Sequence, residues 1–266
     1  MTTQELFSKL WEQYCNQTPS AEKIKKLFES KGENIHTDHI AFRTIDHPKV
    51  NIEQLAKPFL ELGYKPVDDY YFSKKKLYAK HFEHSTQRQL PKIFISQLIT
   101  SEFSENLQNT LVECINTVPR ENSNEDPLVL KGRLWGTPSL KTYQNLLKES
   151  EYAAWLYVNG YCPNHFTIDV NRLQHFSSLL EVNSFLKENG FQLNTAGGEI
   201  KGSSSEYLEQ SSTLADKIEV QFKEKVERVA SCYYEFAYRY KKPNGELFSG
   251  FVTNSANKIF ESTDRK

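Results

Sequence analysis

A pattern that occurs twice constrains this chain more than anything else in it. Asp38-His39-Ile40-Ala41-Phe42-Arg43 places a histidine at the head of a strand-like alternation, and Asn164-His165-Phe166-Thr167-Ile168-Asp169 repeats it in the second half. Each is followed by apolar residues at helical spacing: Ile52, Leu55, Phe59 and Leu62 in the first case, Leu179, Leu180, Val182, Phe185 and Leu186 in the second. Glycine ends both helices, Gly63 lying 24 residues after His39 and Gly190 lying 25 after His165. Short strand-like pieces come next: 70–72, 77–82 and 93–98 in the first half, 206–208, 218–222 and 233–240 in the second. Strand, helix, then several antiparallel strands is a weak internal repeat. It predicts an α+β fold in which two βαβββ-like modules lie side by side and form one curved mixed sheet around a cavity.

On this basis residues 1–266 are expected to form a single catalytic domain. Residues 1–32 read as two N-terminal helices, with Leu6, Leu10, Trp11 and Tyr14 at helical spacing and a restart at Pro19 and Ser20. Residues 33–100 make the first module and 161–254 the second. Between them, 101–160 reads as a helical insertion or lid, broken by a polar loop at 120–126. The tail after Asn254 is expected to fray.

A net charge of −1 gives no reason to expect nucleic acid or an anionic membrane as partner. Runs such as Lys92-Ile93-Phe94-Ile95 are too short to span a bilayer, and the N-terminus shows no basic-then-apolar leader, so a cytoplasmic protein is expected. The four cysteines are scattered, which favours reduced thiols over a disulfide frame. Oligomeric state is left open.

Which side chains share a face follows from the strand period of two. His39, Ala41 and Arg43 point one way; His165, Thr167 and Asp169 form the matching face of the second strand. A third strand, Tyr233 to Arg239, puts Glu235, Ala237 and Arg239 together, opposite Tyr234, Phe236 and Tyr238. Two imidazoles and one carboxylate, each from a different strand, can cap one face of an iron(II) ion and leave positions open for substrate and oxygen. His39, His165 and Glu235 are therefore the candidate ligands and catalytic residues. Arg43 and Arg239 each follow a ligand by four residues, about 13 Å along an extended strand. Either guanidinium, folded back, can fork onto the far carboxylate of an acidic substrate.

Several alternatives compete with that set. Cys162 lies three residues before His165 and Cys232 three before Glu235, so a thiolate-containing zinc site is conceivable. Glu219 is a rival carboxylate on what reads as an exposed alternation. His36 falls on the opposite face to His39, while His81 and His84 fit strand or turn at least as well as a helical ligand pair. Lys74-Lys75-Lys76 reads as a solvated turn. The Gly197 to Ser205 stretch reads as a flexible loop able to present amides to an anion, and Gln210 to Thr213 as a possible source of hydroxyls and an amide for substrate.

At Asp38 to Thr44, Asn164 to Thr167, Gly197 to Asp216 and Ser231 to Ala237, the chain resembles the 2-oxoadipate dioxygenase/decarboxylases, or 2-hydroxyglutarate synthases, which are similar to the vicinal oxygen chelate superfamily. The resemblance runs over roughly residues 35 to 250. It implies iron(II) bound by His39, His165 and Glu235, with Arg43 contacting substrate; Arg239 as a second substrate arginine comes from strand geometry alone. The implied reaction takes a 2-oxo dicarboxylic acid, 2-oxoadipate, and O2 to 2-hydroxyglutarate and CO2, a step in lysine breakdown. A redox-silent glyoxalase-type isomerase or lyase on the same scaffold, or a non-catalytic ligand-binding protein, is the alternative; dependence on oxygen separates them.

Overall fold

The structure is a computed structural model that describes residues 1–118 and 126–253. Most of the polar loop at 120–126 and the tail after Asn254 lie outside the described residues. The chain runs α1 (Thr3–Gln17), α2 (Pro19–Glu29), β1 (Thr37–Ile45), α3 (Ile52–Glu61), β2 (Tyr64–Phe72), β3 (Leu77–His84) and β4 (Lys92–Leu98). It continues with α4 (Glu105–Asn116), α5 (Leu140–Glu149), α6 (Glu151–Asn159), β5 (Pro163–Asp169) and α7 (Leu179–Glu188). It ends with β6 (Lys201–Ser203), β7 (Leu208–Ser212), β8 (Lys217–Gln221), β9 (Val226–Ala230) and β10 (Glu235–Arg239).

Eight strands form one mixed sheet in the order β2-β3-β4-β1-β5-β10-β7-β6. The two halves have the same plan. In each, the first strand lies at the centre, the last pairs parallel with it, and the remaining two continue antiparallel towards the edge. β1 and β5 meet antiparallel, His39 opposite Thr167 and Ala41 opposite His165. That register is symmetric: each histidine faces the residue two places past the other. The expected α+β fold of paired modules is therefore what the chain adopts.

Both repeat helices start on side-chain caps, Asn51 accepting from the Gln54 amide and Ser178 from that of Glu181. The apolar parity of the strands faces the helices. Trp11 and Tyr14 of α1 pack on Phe166 with ring centroids 5.1 and 5.0 Å apart, and Phe28 of α2 packs on Phe236 at 6.3 Å. Burying such aromatic faces contributes on the order of 2 kcal/mol per large side chain.

Part of the second half departs from the pattern that the sequence suggests. Ile218 to Phe222 does not join the main sheet: β8 pairs with β9 in a separate two-stranded hairpin. The Gly197 to Ser205 stretch is not all loop, because 201–203 form the edge strand β6. Residues 204–206 make a single 3-10 turn before the left-handed Tyr207, and β7 begins at Leu208.

The inserted region contributes α4, α5 and α6. The last is buried from Tyr152 to Asn159 and mostly apolar on every side, as an internal helix must be. Tyr152 donates to the Ser96 carbonyl and accepts from the Thr44 amide, and Trp155 donates to the Ser231 carbonyl, so α6 is pinned to both modules. Gly160 ends it at φ +70°, where a Cβ would come within 2.3 Å of the Gly132 carbonyl group. Only glycine fits there.

Candidate metal centre

Three adjacent strands, β1, β5 and β10, deliver His39, His165 and Glu235 to one point. His39 Nε2 lies 3.3 Å from His165 Nε2 and 3.4 Å from Glu235 Oε1, and His165 Nε2 lies 3.4 Å from Glu235 Oε2. Ligands at about 2.1 Å from one ion, at angles of 90 to 110°, are about 3.0 to 3.4 Å apart. The three side chains converge closely enough to hold a single cation, and all are buried. The donor set of two nitrogens and one carboxylate with open positions suits iron(II) among transition metals.

Each imidazole is oriented by the residue before it. Asp38 Oδ1 accepts from His39 Nδ1 at 2.7 Å, and Asn164 Oδ1 accepts from His165 Nδ1 at 3.1 Å. With Nδ1 carrying the proton, the Nε2 lone pair of both rings faces the centre. Tyr233 stacks on His165 with centroids 4.8 Å apart and rings 24° from parallel. Gln210 Nε2 donates to Glu235 Oε1 at 2.6 Å and fixes the carboxylate.

Electrostatics prepare the ligands. Burial, then the neighbouring His39 and Arg43, hold His165 well below its ordinary pKa, so it is a neutral donor. Burial raises Glu235, and the attraction of His39 and the bond from Gln210 only partly offset it. A buried carboxylate at odds with its surroundings is one that a cation would relieve.

Repeat symmetry explains why the candidate site has three such side chains. Glu235 pairs with Thr167, two residues past His165; the matching position in the first half pairs with Ala41 and is Phe94. An apolar ring therefore stands where a fourth ligand would. It packs on Phe251 at 4.8 Å, and Phe251 meets His39 edge-on at 4.9 Å. Polar atoms also adjoin the trio: Tyr233 Oη, Ser212 Oγ, Gln210 Oε1 and Glu235 Oε2, on residues that stack on His165 or neighbour Glu235, are buried without hydrogen-bond partners. Unmet donors and acceptors gathered at one place mark a ligand site.

The two arginines part company. Arg43 is buried between Tyr152 and Trp155, 4.9 and 5.0 Å from their rings, and its Nη1 donates to Glu151 at 3.3 Å. Its Nε and Nη2 have no hydrogen-bond partner. Arg239 does not reach for a substrate as strand geometry suggested. Its Nε and Nη2 donate to Asp38 at 2.6 and 2.8 Å, and Nη1 donates to the carbonyls of Phe248 and Gly250 at 3.2 and 2.8 Å. Parity placed it on the right face, but long-range contacts took its donors.

The rival ligands lie elsewhere. Cys162 and Cys232 are buried with their sulfurs near the Gln17 side chain, and burial pushes both thiols up, Cys232 to about 11, which disfavours a thiolate site. Glu219 is exposed on the β8–β9 hairpin. His81, on strand β3, bonds Tyr70 at 2.8 Å, and His84 sits beside Tyr64. Asp38, Asn164 and Tyr233 were not anticipated as parts of the site, although a polar residue directly before each histidine was a readable signal. Among the described residues, no helix is long and apolar enough to cross a membrane.

Residues 4–247 match the family model for 2-oxoadipate dioxygenase/decarboxylase. The 2-oxoadipate dioxygenase/decarboxylase of Oryza sativa subsp. japonica, which carries a chloroplastic/amyloplastic designation, is 38% identical over 94% of this chain and 75% of its own. The hydroxyglutarate synthase of Oryza sativa, solved in complex with 2-oxoadipate, superposes with a TM-score of 0.90 at 36% identity, covering 97% of this chain and 91% of the other. A glyoxalase superfamily protein of Ralstonia eutropha shares the fold at a TM-score of 0.73 and 18% identity, covering 91% and 83%. Since the match runs through both modules and every strand that carries a candidate ligand, the chain belongs to the 2-oxoadipate dioxygenase/decarboxylase family.

Proposed function

We propose that this protein oxidatively decarboxylates a 2-oxo dicarboxylic acid, 2-oxoadipate, with O2 to give 2-hydroxyglutarate and CO2, using iron(II) held by His39, His165 and Glu235. The observation that carries the reading is the buried trio at 3.3 to 3.4 Å together with a buried arginine on the His39 strand whose Nε and Nη2 are unmet. Atoms balance: the substrate gains both oxygens of O2 and loses one carbon as CO2. Iron(II) supplies the redox chemistry that activates dioxygen, which zinc lacks.

The chain's own residues do the rest. His39 and His165 present their Nε2 atoms, His165 as a neutral donor, Glu235 supplies the carboxylate, and Gln210 keeps that carboxylate in one orientation. Arg43 grips the far carboxylate through Nε and Nη2 while Nη1 stays on Glu151, and its position between Tyr152 and Trp155 holds the fork in plane. Phe94 and Phe251 exclude water from the side they occupy. A step in lysine breakdown is the expected setting.

Oxygen uptake by iron-loaded protein across a panel of 2-oxo acids tests this directly. The expected result is one O2 consumed per CO2 released, with 2-oxoadipate among the best substrates and no product under anaerobic conditions. Turnover without oxygen would instead favour a redox-silent isomerase or lyase on the same scaffold.

A further inference from the structure

The second module orients His165 Nδ1 with a neutral residue, Asn164, without a buried ion pair. The first module does the same work for His39 with Asp38, a buried carboxylate that then requires a buried cation, Arg239. Such a pair is costly to desolvate, and orienting an imidazole does not demand it. Its additional property lies on the other edge of the guanidinium. There Nη1 holds the carbonyls of Phe248 and Gly250, and the guanidinium lies 5.2 Å from the Phe251 ring. Phe251 itself packs against His39, and its amide donates to Tyr70 of the first module at 3.2 Å.

We propose that Arg239 is a positioning residue that couples the His39 ligand to the segment 248–251 closing over it, so that metal binding and closure of this segment reinforce each other. The inference rests on the reading of His39 as a metal ligand. One planar cation has four N–H groups committed, two to the carboxylate that sets the His39 ring and two to the strap that walls the site. Its backbone is itself clamped, Asn171 accepting from the Arg239 amide at 2.7 Å and donating to its carbonyl at 2.8 Å. Fixing His39 on an ion therefore fixes Asp38, the guanidinium and the two carbonyls in turn. Coupling of this kind is reciprocal: whatever orders the strap tightens metal binding by the same factor.

Hydrogen–deuterium exchange of the wild-type chain, with and without the redox-silent probe cobalt(II), tests the coupling. Peptides covering 246–253 are expected to exchange about 5-fold or more slowly with the ion bound. The double variant Asp38→Asn/Arg239→Met keeps an acceptor for His39, as Asn164 does for His165, and leaves no unpaired buried charge. It should bind cobalt(II) within about 10-fold of wild type, the mild end of losses at outer-shell partners, yet show little ion-dependent protection of 246–253. Cobalt(II) binding to the wild type with no change in those peptides would overturn the coupling while leaving the metal site intact. Equal protection in the double variant would remove Arg239 from it. Failure of the wild type to bind cobalt(II) at all would remove both the metal reading and this inference.

Discussion

Replacing Arg43 by lysine separates charge from geometry at the place where substrate selection is proposed to occur. The guanidinium has Nη1 on Glu151 and two N–H groups, on Nε and Nη2, without partners. A carboxylate taking both gains a planar, charge-assisted fork. Lysine keeps the charge but offers a single ammonium, which Glu151 also attracts, so one to two of the bonds to substrate are lost. Hydrogen bonds involving charged groups contribute about 1.5 to 3 kcal/mol, hence about 10- to 150-fold in kcat/KM for a dicarboxylic 2-oxo acid. Lysine also forfeits the stacking between Tyr152 and Trp155, about 1 to 2 kcal/mol, and that part appears in thermal unfolding with no substrate present. The assay is the ratio of kcat/KM for 2-oxoadipate to that for a monocarboxylic 2-oxo acid of similar length, in wild type and variant. Because any loss of folded protein cancels in the ratio, it reads recognition of the far carboxylate alone. A ratio unchanged within about threefold would refute the assignment, since the loss of even one charged hydrogen bond exceeds that.

Three further outcomes follow from named contacts. Gln210→Leu removes the 2.6 Å bond to Glu235 and should weaken cobalt(II) affinity about 10- to 100-fold with little change in fold; calorimetric titration checks it, and equal affinity would show that the carboxylate needs no anchor. Asp169 is pushed up to about 6, by burial first and by Asp38 next, so its contribution to stability is present in full below about pH 4 and is lost as pH rises through 6. Asp169→Asn keeps the acceptor for the Asn171 amide but cannot titrate. The stability of wild type relative to that variant should therefore fall by about 1 to 2 kcal/mol between pH 4.5 and 7.5 in urea unfolding, discounted from the full shift for partial exposure, and a flat difference would mean that the group is ordinary. Gly160→Ala should cost at least about 3 kcal/mol, because its Cβ would meet backbone at 2.3 Å at a positive φ, and a melting temperature within 2 °C of wild type, a bound set by the usual stability scale, would contradict that packing.

The convergence of the candidate trio was legible because strand parity is a local property. Once His39, His165 and Glu235 are each placed on a strand, the period of two decides their face, and the repeat decides that two of the strands are equivalent. The α+β pairing of modules followed from the same repeat, and the helix ends from Gly63 and Gly190. What parity cannot give is which partner a side chain meets across the sheet. Arg43 and Arg239 occupy the same offset from a candidate ligand, and by that offset alone they were interchangeable. Asp38 lies 201 residues before Arg239, and only the β1-β5-β10 order brings them together, turning one arginine into a brace and leaving the other with free donors. Strand membership in the second half was equally hidden: 218–222 alternates as an edge strand would, yet the strand there, 217–221, pairs with 226–230 outside the main sheet. Composition and period set what each segment can be; the long-range register set which charges had to be neutralised in the interior, and that decided which residues were left to act.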